Sequence, residues 1–219
     1  MVTYEQVKQN PAVHIYIRRA HQNLQALGFT EHGLAHVTHV AETAGYILET
    51  LDYPARQVEL VKIAAYLHDI GNLVSRVEHS QSGAVMAFRL LDEMGMDPEE
   101  LAEVVTAIGN HDEGVGVPVT PIAAALILAD KSDVRRSRVL NKDLGNMDIH
   151  DRVNYSVRSS VVKINTAKTR IKLKLDIDTH FSPVIDFFEI FLERMMLCRR
   201  AAQTLGLDFK LIINEQQLI

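Results

Sequence analysis

The spacing of apolar residues changes once along this chain, near residue 145. Before that point, apolar residues recur every three or four positions, as they do within residues 101–108, and this spacing predicts helices. Within residues 171–177 they alternate strictly with Lys and Asp, a period of two that predicts a half-buried strand. The sequence therefore favours a helical body followed by a smaller mixed segment.

Six helices are predicted in the body and a ββαβ unit in the smaller segment. The helices span residues 11–27, 31–51, 54–70, 79–95, 98–110 and 121–140. The smaller segment contains a hairpin over residues 161–177, a helix over 183–204 and a strand over 208–214. The predicted fold is mainly α: a helical bundle over residues 1–145, with a small C-terminal ββαβ extension (α+β) over residues 146–219 packed on it.

Composition argues against several classes of protein. The net charge of −5 disfavours binding to duplex nucleic acid or to an anionic membrane. A single cysteine, Cys198, leaves no partner for an intrachain disulfide, which suits a reducing cytoplasm. Residues 1–10 do not resemble a signal peptide, and no apolar run approaches the roughly 18 residues of a membrane span. We therefore expect a cytoplasmic protein.

Two predicted helices run apolar for several residues and then end in ionisable groups. AAYLHDIGN, residues 64–72, places His68 and Asp69 at the end of a buried helix, and PIAAALILAD ends in Asp130. Burying such groups without partners costs several kcal/mol. A divalent cation would offset this cost, because it binds both neutral imidazole and carboxylate. For His68-Asp69 alone, a hydrogen-bonded pair that caps the helix is the alternative.

Further ligands would have to come from other helices. His36 shares a helical stripe with Val40 and should face inward. His79 opens one helix and His111 closes another, so each is either a ligand or an ordinary helix-terminal residue. Gly71 is expected to end its helix in the left-handed conformation, which would let the adjacent His68 and Asp69 reach one ion. His32 and His39 lie near His36, and we expect one of them to lie on the solvent side of the helix instead of acting as a ligand.

Taken in order, these stretches resemble the HD-domain metal-dependent phosphohydrolases. The matching stretches are His36 with Val40-Ala41, LHDIG at 67–71, His79 with Gly83-Ala84, IGNHDE at 108–113 and LADKSD at 128–133. The resemblance covers residues 11–140 and implies a helical bundle around a metal site. It implies that the first metal ion is held by His36, His68, Asp69 and Asp130. It also implies that His79 and His111 match positions that hold a second ion in part of the family, bridged by the Asp of the motif.

Two departures separate this chain from one branch of that family. The cyclic-di-GMP phosphodiesterases have Lys after the Gly of the motif and a second His after the position of His111. Here these positions are Asn72 and Asp112, and the GYP stretch of that branch is absent. The resemblance therefore does not extend to cyclic-di-GMP hydrolysis.

The resemblance implies hydrolysis of a small phosphate ester or anhydride, a nucleotide or a related compound, by metal-activated hydroxide. The cofactor would be one or two divalent ions, with Fe, Mn, Mg, Zn, Ni and Co all compatible with His and carboxylate ligands. Asp69, Lys131 and Arg135 are the candidate catalytic residues. Lys131 and Arg135 are expected to bind the phosphate group. Arg135 could instead belong to a solvated helix face. Asp133, one turn after Asp130, is expected to orient a ligand or to pair with Arg136.

Two further possibilities follow from the sequence. The chain could be a metal-containing ligand-binding or regulatory module with little or no turnover, because the extension could serve as a sensor. The hairpin edge over residues 160–178 could pair with a second copy, which would give a homodimer.

Overall fold

Helices form the first two thirds of the chain in the computed structural model, which describes residues 1–141 and 143–218. They are α1 (Tyr4–Gln9), α2 (Pro11–Ala26), α3 (Leu34–Thr50), α4 (Ala55–Leu67), α5 (His79–Glu93), α6 (Pro98–Gly109) and α7 (Pro121–Ser132). Three of them begin in the same way. The side chains of Asn10, Asp97 and Thr120 accept backbone N–H groups at the starts of α2, α6 and α7, with Pro as the next residue.

The remainder of the chain forms one more helix, a small sheet and a long covering helix. The elements are α8 (Ile149–Ser156), β1 (Val157–Ile164), β2 (Arg170–Ile177), α9 (Val184–Thr204), β3 (Asp208–Ile213) and β4 (Gln216–Gln217). The strand order is β1-β2-β3-β4. β1 pairs with β2 as an antiparallel hairpin, and α9 makes the crossover that places β3 parallel to β2. The mainly α fold with a ββαβ extension is confirmed, and β4 adds a short edge pair.

The core is centred on α7. Every residue from Ile122 to Ser132 is buried, because α7 packs against α3, α4 and α6 on one side and α9 on another. α9 also packs on β3, so the extension and the bundle share one hydrophobic core. None of the helices in the described part of the chain is both long and apolar enough to cross a membrane.

Several predicted boundaries are wrong. α7 ends at Ser132 instead of residue 140, because Asp133 leaves the helical conformation (φ −79°, ψ 69°) and its carboxylate accepts a hydrogen bond from Arg135. The predicted helix over 54–70 stops at Leu67 and continues as a 3-10 turn over Ile70–Leu73. α1 and α8 were not predicted, since α1 is only six residues long and α8 is a polar segment, IHDRVNYS.

Candidate metal centre

The turn after α4 carries His68 and Asp69. His68 keeps a helical backbone, and Asp69 bends away from it (φ −96°, ψ 0°) to start the 3-10 turn. The expectation that Gly71 adopts the left-handed conformation is wrong, because Gly71 has no positive φ. Gly is needed there for close packing: a Cβ would overlap the carbonyl oxygen of His79 and the amide nitrogen of Gly83. α5 can therefore lie directly against the turn.

Four side chains from two helices and this turn converge on one point. His36 comes from α3 and Asp130 from α7. His36 Nε2 lies 3.4 Å from Asp130 Oδ1 and 3.7 Å from Asp69 Oδ2. His68 Nε2 lies 3.4 Å from Asp69 Oδ2 and 3.6 Å from Asp130 Oδ1. Two nitrogens and two oxygens thus surround a space between them, an arrangement that suits a divalent ion.

The unpaired atoms of this group fit a metal ion. His36 Nε2, His68 Nε2 and Asp69 Oδ2 are buried and have no hydrogen-bond partner within the described residues. Buried polar atoms without partners are rare in folded proteins. The other imidazole nitrogens are held, since His36 Nδ1 lies 2.7 Å from Asp133 Oδ2 and His68 Nδ1 lies 2.7 Å from the Ala65 carbonyl oxygen. These two contacts fix the tautomers of His36 and His68 in which Nε2 is available as a metal ligand.

A second group of potential ligands adjoins the first through Asp69. His79 Nε2 lies 3.5 Å from Asp69 Oδ1 and 3.2 Å from His111 Nε2. His111 Nδ1 lies 2.7 Å from the carbonyl oxygen of Ile108, so Nδ1 carries the proton and Nε2 presents its lone pair. Asp69 therefore directs Oδ2 towards the first group and Oδ1 towards the second. Asn72 also donates to Asp69 Oδ1, at 3.0 Å.

The electrostatics of the centre keep its carboxylates charged. Burial alone would raise the pKa of Asp69, but His68 and the neighbouring imidazoles hold that pKa well below its usual value. Burial alone would also raise the pKa of Asp130. The neighbouring Lys131 ammonium group outweighs this effect, so the pKa of Asp130 is well below its usual value. The pKa of His68 is raised because Asp69 and Asp130 outweigh its burial. A proton and a metal ion would therefore compete for His68 Nε2.

Asp133 and two arginines support His36 from behind. Asp133 is fully enclosed, and His36 Nδ1 donates to its Oδ2. Arg135 Nε donates to Asp133 Oδ1 at 2.6 Å, and Arg138 Nη1 donates to the Asp133 carbonyl oxygen at 2.7 Å. The predicted alternative, a pair between Asp133 and Arg136, does not form: Arg136 donates to the Tyr155 carbonyl oxygen instead. The structure places Arg135 against Asp133 and not among the residues that line the adjacent cavity.

A cavity of about 400 Å³ opens beside the centre. Its lining includes Asp69, His79, His111 and Asp130 from the centre, together with four cationic side chains, Arg76, Lys131, Arg138 and Arg194. His32 also lines it, whereas His39 is 45% exposed in its side chain and faces outward, as expected. A cavity of this size suits a small molecule.

Glu113 and Arg194 are site residues that the sequence reasoning missed. Arg194 Nε donates to Glu113 Oε1 at 2.6 Å, and Lys131 Nζ lies 3.5 Å from the same oxygen and 2.7 Å from Asp130 Oδ2. Burial would raise the pKa of Glu113, but Lys131 and Arg194 hold it at about 2. Glu113 ends the IGNHDE stretch, which was a usable signal. Arg194 lies on an ordinary amphipathic helix far along the chain, and no sequence pattern marked it as a site residue.

Comparison with known proteins agrees with this geometry. The HD domain family model matches residues 33–135. The match supports an HD-domain assignment for this part of the chain, as the sequence resemblance implied. The matched range includes every potential ligand of both groups, from His36 to Asp130.

Two known proteins are similar to this chain over part of its length. An uncharacterized protein of Methanocaldococcus jannaschii, MJ1020, is 29% identical over 159 residues, which are 62% of this chain. The chain spans only 60% of the length of that curated relative. A crystal structure of a predicted HD superfamily hydrolase from an uncultured Thermotogales bacterium shares 28% identity, with a TM-score of 0.46. That match covers 62% of this chain and 75% of the other.

Part of the cavity lies outside the matched HD domain. Residues 27–30 and His32 precede it and Arg138 follows it. α8 and α9 add further lining, with Asp151 and Asn154 from α8 and Ile190, Phe191 and Arg194 from α9. The division at residue 145 stays a prediction, but residues on both sides of it line the same cavity.

Proposed function

We propose that this protein is a metal-dependent phosphohydrolase that acts on a small phosphate monoester of about the size of one nucleotide. One observation carries the proposal: buried ligand atoms without partners lie beside a cavity that four cationic side chains also line. Cations beside a potential metal centre are what a phosphate group requires, because its negative charge must be matched where water is excluded.

The first ion would be held by His36, His68, Asp69 and Asp130, and a second by Asp69, His79 and His111. A bound divalent ion supplies water of lowered pKa and neutralises charge on phosphate oxygens. Nitrogen and carboxylate ligands of this kind suit Fe, Mn, Zn, Ni or Co, and Mg to a lesser degree.

Lys131 and Arg194 are the residues that we assign to phosphate binding. Burial would lower the pKa of Lys131, but Asp130 and Glu113 raise it, so the ammonium group stays charged. Arg194 uses Nε for Glu113, and its guanidinium carbon lies 4.4 Å above the Phe191 ring, which fixes the plane of the fork. Its Nη groups make no hydrogen bond within the described residues, so they are available for two phosphate oxygens. Arg135 acts through Asp133 and His36 as a positioning residue.

The size of the cavity favours a single small substrate. Its volume of about 400 Å³ is near the lower end of the range for small-molecule pockets. One nucleotide fits such a volume, whereas an oligonucleotide needs an open groove. The lining holds four cationic side chains beside six carboxylates, so the positive charge that would match a dianionic monoester comes from these cations together with the bound ion.

Turnover of p-nitrophenyl phosphate by protein loaded with Mn²⁺, Fe²⁺ or Ni²⁺ tests the proposal, with bis(p-nitrophenyl) phosphate as the diester. Asp130→Asn should lower kcat/KM by about 100-fold or more, since it removes a charged ligand. Asp176→Asn is the matched control, because that carboxylate is exposed on β2 and lies outside the cavity. Tight binding of adenosine monophosphate without any product would favour the regulatory module instead.

A further inference from the structure

Glu113 is a carboxylate that lies between the two cations assigned to phosphate binding. Its Oε1 accepts a hydrogen bond from Arg194 Nε at 2.6 Å, and Lys131 Nζ lies 3.5 Å from the same oxygen. All three residues line the cavity. A carboxylate in this place repels phosphate, so attraction of the substrate does not explain why it is there. Its contacts indicate instead that it holds the two cations.

The orientation of Arg194 depends on Glu113. Arg194 has no other hydrogen-bond or ion-pair partner among residues 1–141 and 143–218. Its guanidinium carbon lies 4.4 Å from the centre of the Phe191 ring, a contact that keeps the group near the ring but does not direct its N–H groups. The hydrogen bond to Glu113 is made by Nε, so it orients the guanidinium group while both Nη groups stay available.

Lys131 is held from two sides. Its Nζ lies 2.7 Å from Asp130 Oδ2 and 3.5 Å from Glu113 Oε1. Asp130 directs its other oxygen, Oδ1, towards the first group of potential metal ligands, 3.4 Å from His36 Nε2. Charges of alternating sign therefore form a continuous row from the metal centre, at Asp130, to Arg194 on α9.

The backbone that carries Glu113 is itself fixed against α9. Glu113 lies in the segment between α6 and α7. Within that segment the Gly116 N–H donates to the Asp112 carbonyl oxygen at 2.7 Å, which closes a turn that contains Glu113. Thr204 Oγ1, at the end of α9, donates to the carbonyl oxygen of Pro118 at 3.0 Å. The carboxylate therefore has a defined position relative to the helix that carries its arginine partner.

We propose that Glu113 is a positioning residue that holds Lys131 and Arg194 in the orientation that binds the phosphate group of the substrate. In the described part of the chain it forms no hydrogen bond or ion pair with a potential metal ligand, so it acts through the two cations. The inference rests on the proposed phosphohydrolase function. The two alternative roles are general stabilisation of the fold and a simple reduction of positive charge in the cavity.

The test measures phosphate binding and turnover on metal-loaded protein that is folded by circular dichroism. Calorimetry gives the dissociation constant of inorganic phosphate, and p-nitrophenyl phosphate gives kcat and KM. Glu113→Gln keeps the size of the side chain and removes its charge. Phosphate affinity should fall by about tenfold and KM should rise by a similar factor, because hydrogen bonds to charged groups contribute that much. kcat and the metal content per chain should stay within about twofold of the wild type, since the lost interaction is made equally before and during the reaction.

The direction of the change separates positioning from a simple charge effect. If Glu113 only reduced the positive charge of the cavity, Glu113→Gln would bind phosphate more tightly than the wild type does. Glu113→Asp keeps the charge but shortens the side chain by one methylene group. For a positioning residue, this variant should also weaken phosphate binding, by about threefold or more.

A double variant separates positioning from a structural role. When Arg194→Gln is already present, Glu113→Gln should lower phosphate affinity by less than about threefold, because one of the cations through which it acts is gone. Glu189→Gln is the matched control, since this carboxylate is exposed on α9 outside the cavity and should leave KM unchanged.

The outcomes distinguish this inference from the proposed function. Unchanged or tighter phosphate binding in Glu113→Gln, equal effects of that change with and without Arg194, or loss of metal overturns the positioning role and leaves the phosphohydrolase function standing. If Glu113→Gln does not fold, wild-type phosphate affinity in Glu113→Asp overturns it. Phosphate binding that weakens in these variants, without turnover by the wild type, supports the positioning role and overturns the hydrolase. Neither binding nor turnover in the wild type overturns both.

Discussion

The metal centre and the wall that α8 and α9 supply line one cavity, but different sequence patterns encode them. The centre places ionisable residues at the ends of apolar helices, where burial without a partner would be costly. The wall uses Asp151, Asn154 and Arg194, which lie on amphipathic helices that also have ordinary surface residues. Ionisable residues that interrupt an apolar run are therefore visible in a sequence, whereas buried polar residues on a polar or amphipathic helix are not.

The largest effect that we expect concerns the packing beneath the centre. Gly71→Ala should lower the free energy of unfolding by about 3 kcal/mol or more, because the new Cβ overlaps backbone atoms of His79 and Gly83 that cannot move aside. Urea denaturation followed by circular dichroism measures this. Gly114→Ala is the control, since nothing lies within 4 Å of a Cβ at that position. Equal stability of the two variants would show that α5 does not rest on the turn.

The next largest effect that we expect is on metal affinity. Asp133→Asn weakens the contact that fixes the tautomer of His36, so metal affinity should fall by about 10- to 100-fold. Competition with a chelating indicator gives the dissociation constant. Substrate KM at saturating metal should stay within about threefold of the wild type. A large rise in KM with unchanged metal affinity would place Asp133 in substrate binding instead.

The wall should show the opposite pattern. Arg194→Gln removes a cation from the cavity and should lower kcat/KM for a phosphate monoester by about tenfold, while the metal content per chain stays unchanged. Steady-state kinetics beside elemental analysis measures both quantities. Loss of metal in this variant would mean that the extension supports the centre itself, and the contrast between the two regions would disappear.

The smallest effect that we expect is on stability at acidic pH. The pKa of Glu113 in the folded protein is about 2, below the value of about 4.3 for an unfolded chain. The stabilisation from Glu113 is therefore complete above about pH 4.5 and is lost as the pH falls towards 2. Glu113→Gln should flatten the pH dependence of the free energy of unfolding in that range. An identical slope in both proteins would contradict the charged state of Glu113.

The sequence allowed much of the fold and of the metal centre to be predicted, for a common physical reason. Periodicity reports burial, so the existence of the six predicted helices, the strand over 171–177 and the inward face of His36 were predicted correctly, although several helix ends were not. Backbone detail was less accessible: the end of α7 depends on contacts of Asp133 with residues that are distant in sequence. The reason predicted for Gly71 was wrong. Either a close backbone approach, here to His79, or a left-handed turn requires Gly, and the sequence does not distinguish the two.

Elemental analysis of metal per chain, in wild type and in Asp69→Ala, tests the central claim most directly. Asp69 offers one oxygen to each group of ligands, so its loss should empty the centre of a protein that remains folded by circular dichroism. We expect one or two divalent ions per wild-type chain and less than about a tenth of that in the variant. Unchanged metal in folded Asp69→Ala, or none in the wild type after reconstitution with Mn²⁺, Fe²⁺ or Ni²⁺, would contradict the metal centre.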